Sequence, residues 1–417
     1  MNAYIYPRAT IVWPLDEPAA AAPVANAPLA RRQAEALSAA GLAVLPAPDL
    51  PAAAGPGGCL LVADDLLLSP AFARRFLLAA RGTIRPGRCR VRRGPFFDYF
   101  PSPVDPDLYP ATDGDRLYDL YYLPPDFPLP DPRTPGALSS PGAIAAPGAP
   151  GAPLVPGAAD IPVTIDIART APAYSHSLLA GRTIDKPLTD QYICRVAHWP
   201  DIVMGNVMYL FARRLDGEAG RVSSPSPAEA RRWRREGVIV SRSVIGAGVQ
   251  IDPFTAVEDS ILGDGVKVGS HCRVKGSVIG AGGLICGGTH ISYSVTGEAA
   301  IVNTATANFS YIGRRSHIGS LAIGDAYFDG RTVVADLGGR RIDTGLYILG
   351  FGCGHGAKIG SGLSLLPGTT IPGGVHLHDA DAVGRVPASL PRGRPLYWLK
   401  GQWRDLSLKS PAGAKEV

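Results

Sequence analysis

Between Gly237 and Cys286 an aliphatic residue returns at every fifth or sixth position, usually followed by Gly or by a small or acidic residue. Ile245-Gly246, Ile251-Asp252 and Val257-Glu258 make one round. Leu262-Gly263, Val268-Gly269 and Val274-Lys275 make the next, and Ile279-Gly280 and Ile285-Cys286 continue it. The pattern resumes at Ile312-Gly313 and Ile318-Gly319, and again at Ile359-Gly360, Leu365-Leu366 and Ile371-Pro372. A surface helix would repeat every 3.6 residues or so and a half-buried strand about every 2. A period of roughly six fits a triangular coil, with one aliphatic residue pointing inward from each flat face and the small residue after it letting the corner turn. The expectation is a left-handed parallel β-helix of hexapeptide repeats over residues 231–378, followed by a tail over 379–417.

Such coils stack by in-register β pairing, and flat prism faces bury their apolar residues around a threefold axis, so a homotrimer is expected. The N-terminal region, residues 1–230, reads differently. Strands over Ala9–Trp13, Leu42–Leu45, Cys59–Ala63 and Val163–Ile167 alternate with helices over Pro28–Ala40 and Ser69–Ala80, and a further helix covers Trp199–Leu215. This pattern predicts an α/β domain with a largely parallel sheet. Pro28 before the first helix and Gly41 after it are ordinary punctuation. The tract Pro130–Ala159, rich in Pro, Gly and Ala, cannot bury a core and reads as a loop or linker.

A chain of 417 residues that is 46% hydrophobic has ample material for more than one core. Its net charge of +5 is spread out, with Arg231-Arg232-Trp233-Arg234-Arg235 as its densest basic run. That argues against nucleic acid as a partner, because tracking phosphates needs clustered cations. No apolar stretch approaches the roughly 18 residues of a membrane span, and Met1–Trp13 lacks the regions of a secretory signal, so no membrane is expected and the localisation is expected to be cytoplasmic. The six cysteines have no metal-ligand spacing and read as buried thiols.

An α/β domain followed by a hexapeptide β-helix resembles the sugar-1-phosphate nucleotidyltransferase family. It is similar in particular to the bifunctional N-acetylglucosamine-1-phosphate uridylyltransferase/glucosamine-1-phosphate acetyltransferase type. The segment Thr306-Ala307-Asn308-Phe309-Ser310-Tyr311-Ile312-Gly313 resembles that family's acetyltransferase segment. Phe328-Asp329-Gly330, Gly338-Gly339-Arg340-Arg341-Ile342-Asp343-Thr344-Gly345 and Leu349-Gly350 resemble a stretch that leaves the coil and returns to it. The N-terminal likeness rests on Pro14-Leu15-Asp16 and Val24–Leu29 leading into Arg32–Leu37. The implied fold is an α/β nucleotidyltransferase-like domain followed by the β-helix.

The resemblance implies nucleotidyl transfer, which needs a Gly-rich loop facing phosphate and a Lys downstream. Tyr6–Pro14 contains no Gly, and no Lys precedes Lys186. Nucleotidyl transfer is therefore expected to be lost and Mg²⁺ is not expected, although Asp64 and Asp65 at the end of an apolar strand resemble the family's metal-binding acid. The resemblance also implies acyl transfer from acetyl-CoA or another acyl-CoA. Where the family has its catalytic His, this chain has Asn308, whose amide cannot take a proton. Tyr311 matches the family's acceptor-binding Tyr, Arg340 and Arg341 suit phosphate or carboxylate recognition, and His317 or His355 could replace the missing base. His271 and His290 rank behind those two, and His376-Leu377-His378, with Asp379 and Asp381, reads as a solvated turn.

Three functions follow from these residues. The first is an acyl-CoA-dependent transferase acting on an amino sugar phosphate or related amine. The second is a non-catalytic sugar-phosphate-binding pseudoenzyme, and the third is a trimeric scaffold.

Overall fold

The computed structural model describes residues 1–8, 10–46, 53–101, 114–127, 155, 158–175, 183–215, 226–327, 329–378, 396–399 and 402–405. Ala9, Phe328, Asp379, Asp381 and nearly all of the tract over 130–159 lie outside the described residues. The N-terminal half is built on six strands: β1 (Asn2–Tyr6), β2 (Ala43–Pro46), β3 (Cys59–Ala63), β4 (Gly87–Val91), β5 (Arg116–Leu123) and β6 (Ala159–Val163). Their order across the sheet is β6-β4-β5-β3-β1-β2, and only β5 runs against the others. The uninterrupted apolar run of β3 is buried at every residue, as a strand covered on both faces requires.

Two expected strands are displaced. Ile11–Val12 forms only a two-residue hairpin with Glu17–Pro18, because Pro7 and Pro14 bracket the segment and withhold donors. The residues that enter the sheet are Ala3, Tyr4 and Tyr6, upstream. The strand expected over Val163–Ile167 lies instead at Ala159–Val163. Its Pro162 is tolerated because β6 is an edge strand paired with β4 alone.

The helices are α1 (Leu29–Ala39), α2 (Pro70–Ala80), α3 (Pro95–Tyr99), α4 (Trp199–Arg213) and α5 (Pro227–Arg235). Ser69 caps α2 by accepting the Phe72 N–H at 3.0 Å. A capping box between Ser226 and Glu229 starts α5, and the basic run forms its last turn, where cations favour the helix dipole. Trp233 of that run is buried in the core of the coil that follows, so α5 plugs the base of the prism.

From Ile239 to Leu377 three parallel sheets wrap a single aliphatic core. The first face holds Ile239–Ser241, Ala256–Glu258, Arg273–Lys275, His290–Ser292 and Thr306–Asn308. The second runs from Val244–Ile245 to Thr370–Ile371 and the third from Gln250–Ile251 to His376–Leu377, with seven strands each. Strands stack in register, each partner 17 residues on in the first coils, 16 on at Thr306, 41 on across the later excursion and 18 on in the last coil. These parallel sheets fit a left-handed β-helix. After Ile323 the chain leaves the coil, forms the hairpin Val334–Leu337/Arg340–Asp343, and rejoins at Gly352.

The corners do not turn as the sequence suggested. The Gly after each inward aliphatic residue is needed for close stacking: a Cβ on Gly263 would lie 2.6 Å from the Ala281 nitrogen, and one on Gly280 2.4 Å from the Gly297 carbonyl carbon. The left-handed dihedral falls two residues later, at Gly248, Gly265, Gly282, Ala299 and Arg315. Beneath another corner runs a ladder of buried serines, in which the N–H of Ser260, Ser277, Ser294 and Ser310 each donates to the hydroxyl of the serine one coil back, at 3.0–3.2 Å.

The second face is apolar on its outer side too. Ile261, Val278, Val295 and Tyr311 are buried there and join the core of the N-terminal half. Helix α4 packs on this face. Trp199 lies over Gly352, where a Cβ would sit 2.4 Å from the indole, and donates to Thr370 Oγ1 at 3.0 Å. Asp259 clamps the junction, meeting Arg214 from the end of α4 at 2.5 Å and Arg242 at 2.6 Å. One of the three faces is thus covered within the chain.

Candidate functional site

On the first face the middle residue of each strand points inward (Val257, Val274, Ile291, Ala307), so the residues on either side of it point out. Register then builds two outward columns: Arg273, His290 and Thr306 in one, Lys275, Ser292 and Asn308 in the other. At the adjoining corner Tyr293 and Phe309 adopt left-handed dihedrals and stack with ring centroids 4.9 Å apart. Together with Asp325 and Ile348 from the excursion, these side chains enclose a groove of about 240 Å³.

The groove is chemically polarised. Arg273 and Lys275 supply cationic donors at one end, Arg273 lying 3.4 Å from Glu258. At the other end the Asn308 amide nitrogen donates to Asp325 Oδ2 at 2.8 Å. With its nitrogen held there, Asn308 has its carbonyl oxygen left to accept from a ligand, and Asp325 brings a carboxylate beside it. His290 stands between the two ends, next to Thr306. Such a groove suits a small molecule with an anionic group and, a few ångströms away, an amine or hydroxyls.

The residues expected to work with Asn308 are dispersed. Tyr311, three residues on, has crossed a corner: it sits on the second face beneath α4, fully buried, and its hydroxyl has no hydrogen-bond partner among the described residues. Burial pushes the Tyr311 phenol well above its usual range. His317 is on the third face, exposed between Ile301 and Lys358, so it cannot serve a ligand held at Asn308 of the same chain. His355 belongs to the domain junction: its Nδ1 accepts the Arg314 N–H at 2.9 Å, its Nε2 lies 3.3 Å from Glu17, and Glu17 also pairs with Arg314. Burial and then Arg314 hold the His355 imidazole below its ordinary pKa. Arg340 and Arg341 are exposed on the excursion hairpin and do not line the groove. His271 is a corner residue stacked on Phe254 at 5.2 Å.

Asp64 and Asp65 form the turn after β3, at the carboxyl ends of the parallel strands. Asp65 is fully buried and accepts from Arg195 at 2.7 Å and Thr10 at 2.8 Å. Asp64 accepts the Arg8 N–H at 2.8 Å, and burial raises its carboxyl to about 6. Nearby, buried Asp119 pairs with Arg8 and, at 2.7 Å, with Arg88. Three acids therefore face three arginines. Among the described residues no three His, Cys, Asp or Glu side chains stand together as a metal site.

Sequence reasoning placed Asn308 here, ranked His290 low, and missed Arg273, Lys275, Ser292, Tyr293 and Asp325. The signal that could have found them is the 17-residue step, which puts His290 over Arg273 and Ser292 over Lys275. A family model described as GlmU-like, C-terminal hexapeptide matches residues 235–306, within the prism and its base. No curated protein matches the chain. No helix among the described residues is long and apolar enough to cross a membrane.

Proposed function

We propose that this chain is a hexapeptide-repeat acyltransferase-like protein that holds an anionic amino sugar, or a related phosphate-bearing amine, in the groove beside Asn308. The observation that carries this is the groove's polarity: cationic donors at Arg273 and Lys275, acceptors at Asn308 and Asp325, and an imidazole between them. In this scheme Arg273 and Lys275 bind the anion. Asn308 and Asp325 orient the amine, and His290 accepts its proton as the amine attacks, taking the role first looked for at His317 and His355.

An acyl thioester would supply the activated carbonyl. The third face fits such a carrier. Its outward column runs Gln250, Lys267, Leu284, Ile301, His317, Lys358 and His376, with aliphatic Leu284 and Ile301 in its middle and Lys267 and Lys358 to either side. That face meets the first at a ridge of Phe254, His271 and Gly288, and the ridge is lowest at Gly288, two residues before His290. Assembly as a homotrimer would use the first and third faces, since α4 occupies the second. Nucleotidyl transfer is not proposed: Asp65 and Asp119, at this end of the sheet, are already paired with arginines.

Binding without turnover is favoured by one observation, the amide at position 308 in place of a base. Calorimetry with glucosamine 1-phosphate and acetyl-CoA, beside an assay for released thiol, separates the two. Thiol release that His290→Gln abolishes while leaving sugar-phosphate binding intact supports transfer. Binding of the sugar phosphate with no thiol release supports a pseudoenzyme, and no binding of either compound removes both.

A further inference from the structure

The N-terminal half brings a cation against Tyr293, a residue that lines this groove. Lys186, the first lysine in the chain, lies on the second strand of the hairpin Arg169–Ser175/Thr183–Leu188. It is 8% exposed, and its Nζ donates to the hydroxyl of groove residue Tyr293 at 2.8 Å, bridging 107 residues of sequence. The ammonium also stands 4.7 Å from the Tyr293 ring centroid and 5.8 Å from that of Phe211 on α4. Lys275, which lines the same groove, is close enough to act on it electrostatically.

We infer that Lys186 is an anion anchor of the groove, reaching the ligand's phosphate together with Lys275 and through the Tyr293 hydroxyl, so that the binding site is complete only when the N-terminal half is docked on the prism. The inference rests on the groove being the ligand site. It gives the N-terminal half a role in binding that does not depend on any nucleotide chemistry of its own.

Among the described residues, the groups facing Lys186 include Tyr293, Phe211, Lys275, Arg214 and Asp259, and Asp259 is shared with Arg242. Burial first, then Lys275 and Arg214, push the Lys186 ammonium down to about 8, and Asp259 opposes them. A phosphate beside it would restore the charged form. Near pH 8 anion binding should therefore draw a proton from solution, and affinity should fall as the pH rises beyond that.

The test uses the full chain and glucose 1-phosphate. This probe has no amine to titrate, and its phosphate is fully ionised at pH 8, above a second pKa of about 6. Calorimetry in buffers of different ionisation enthalpy reads the protons taken up on binding. The wild type is expected to take up a fraction of a proton at pH 8. Lys186→Met should weaken binding about tenfold or more and abolish the uptake. Lys186→Arg keeps the charge but does not titrate, so it should bind while showing no uptake. It carries the test if the Met variant fails to fold. Absence of glucose 1-phosphate binding, or uptake that persists in Lys186→Arg, overturns the anchor. Lys186-linked uptake without acyl transfer would leave the anchor standing and remove the transferase. Transfer with no such linkage would do the reverse.

Discussion

Gly280 and Gly282 lie two residues apart on one corner of the prism and are required for different reasons, so the same substitution should have unequal costs. An alanine Cβ at Gly280 would lie 2.4 Å from the Gly297 carbonyl carbon, 2.5 Å from its oxygen and 2.6 Å from the Glu298 nitrogen. All three are backbone atoms of the next coil, and none can rotate away. Reaching an ordinary contact of 3.4 Å requires the coils to part by about 1 Å. That stretches the ladder in which Gly280 N–H donates to Thr296 O at 3.0 Å and Ala299 N–H to Ala281 O at 2.8 Å. Overpacking of this kind costs about 1–3 kcal/mol, and each weakened ladder bond adds about 0.5–1.5 kcal/mol, so Gly280→Ala should lose about 3–4 kcal/mol. Gly282 has a φ of +66° and nothing within 4 Å of its Cβ position, so Gly282→Ala pays only the left-handed dihedral, about 1–2 kcal/mol. Ala299 adopts that conformation one coil on.

The chain contains two cores, so a single unfolding midpoint would blend them. Native-state hydrogen exchange at the amides of Val278–Gly283 reports the opening of these coils directly. Gly280→Ala should speed exchange by more than a hundredfold and Gly282→Ala by roughly tenfold. Equal effects, or a neutral Gly280→Ala, would refute the claim that the Gly after each aliphatic residue exists for stacking.

The Tyr311 hydroxyl is buried with no hydrogen-bond partner among the described residues, so Tyr311→Phe should leave stability unchanged or raise it by about 1 kcal/mol, with no effect on glucose 1-phosphate affinity. A loss of affinity in a folded variant would mean that the phenol reaches the ligand after all. Asp64 has its folded pKa raised from 3.8 to about 6 by burial, so the folded state holds its proton more tightly than the unfolded chain. Its contribution is present below about pH 4 and is lost as pH rises through 6, so Asp64→Asn should gain stability relative to wild type between those values. Urea unfolding at pH 4.5 and 7.5 checks this, and a pH-independent difference would show that Asp64 is not desolvated.

Much of the prism was legible because inward and outward positions are decided locally. Ile245, Leu262 and Ile279 must point to one axis whatever surrounds them, and the period carries that information. The same period misled at the site. Asn308, Tyr311 and His317 lie close in sequence and resemble one catalytic segment, yet each occupies a different face of a three-sided coil. Three residues suffice to cross a corner, so closeness in sequence does not imply a shared surface here. His290, ranked below His317, stands beside Arg273, which lies a full coil away along the chain and is brought to it by register.

The sequence by itself determined the coil, its stacking glycines and the helix ends at Ser69 and Ser226, because each depends on neighbours within a turn or a coil. Tertiary structure alone decided which outward face would be covered and which would be a groove. Tyr311 is buried because α4 lies on it, and Lys186 meets Tyr293 only when the two halves dock. Those contacts join segments whose separation along the chain carries no periodic signal, so only the packing of whole elements could bring them together.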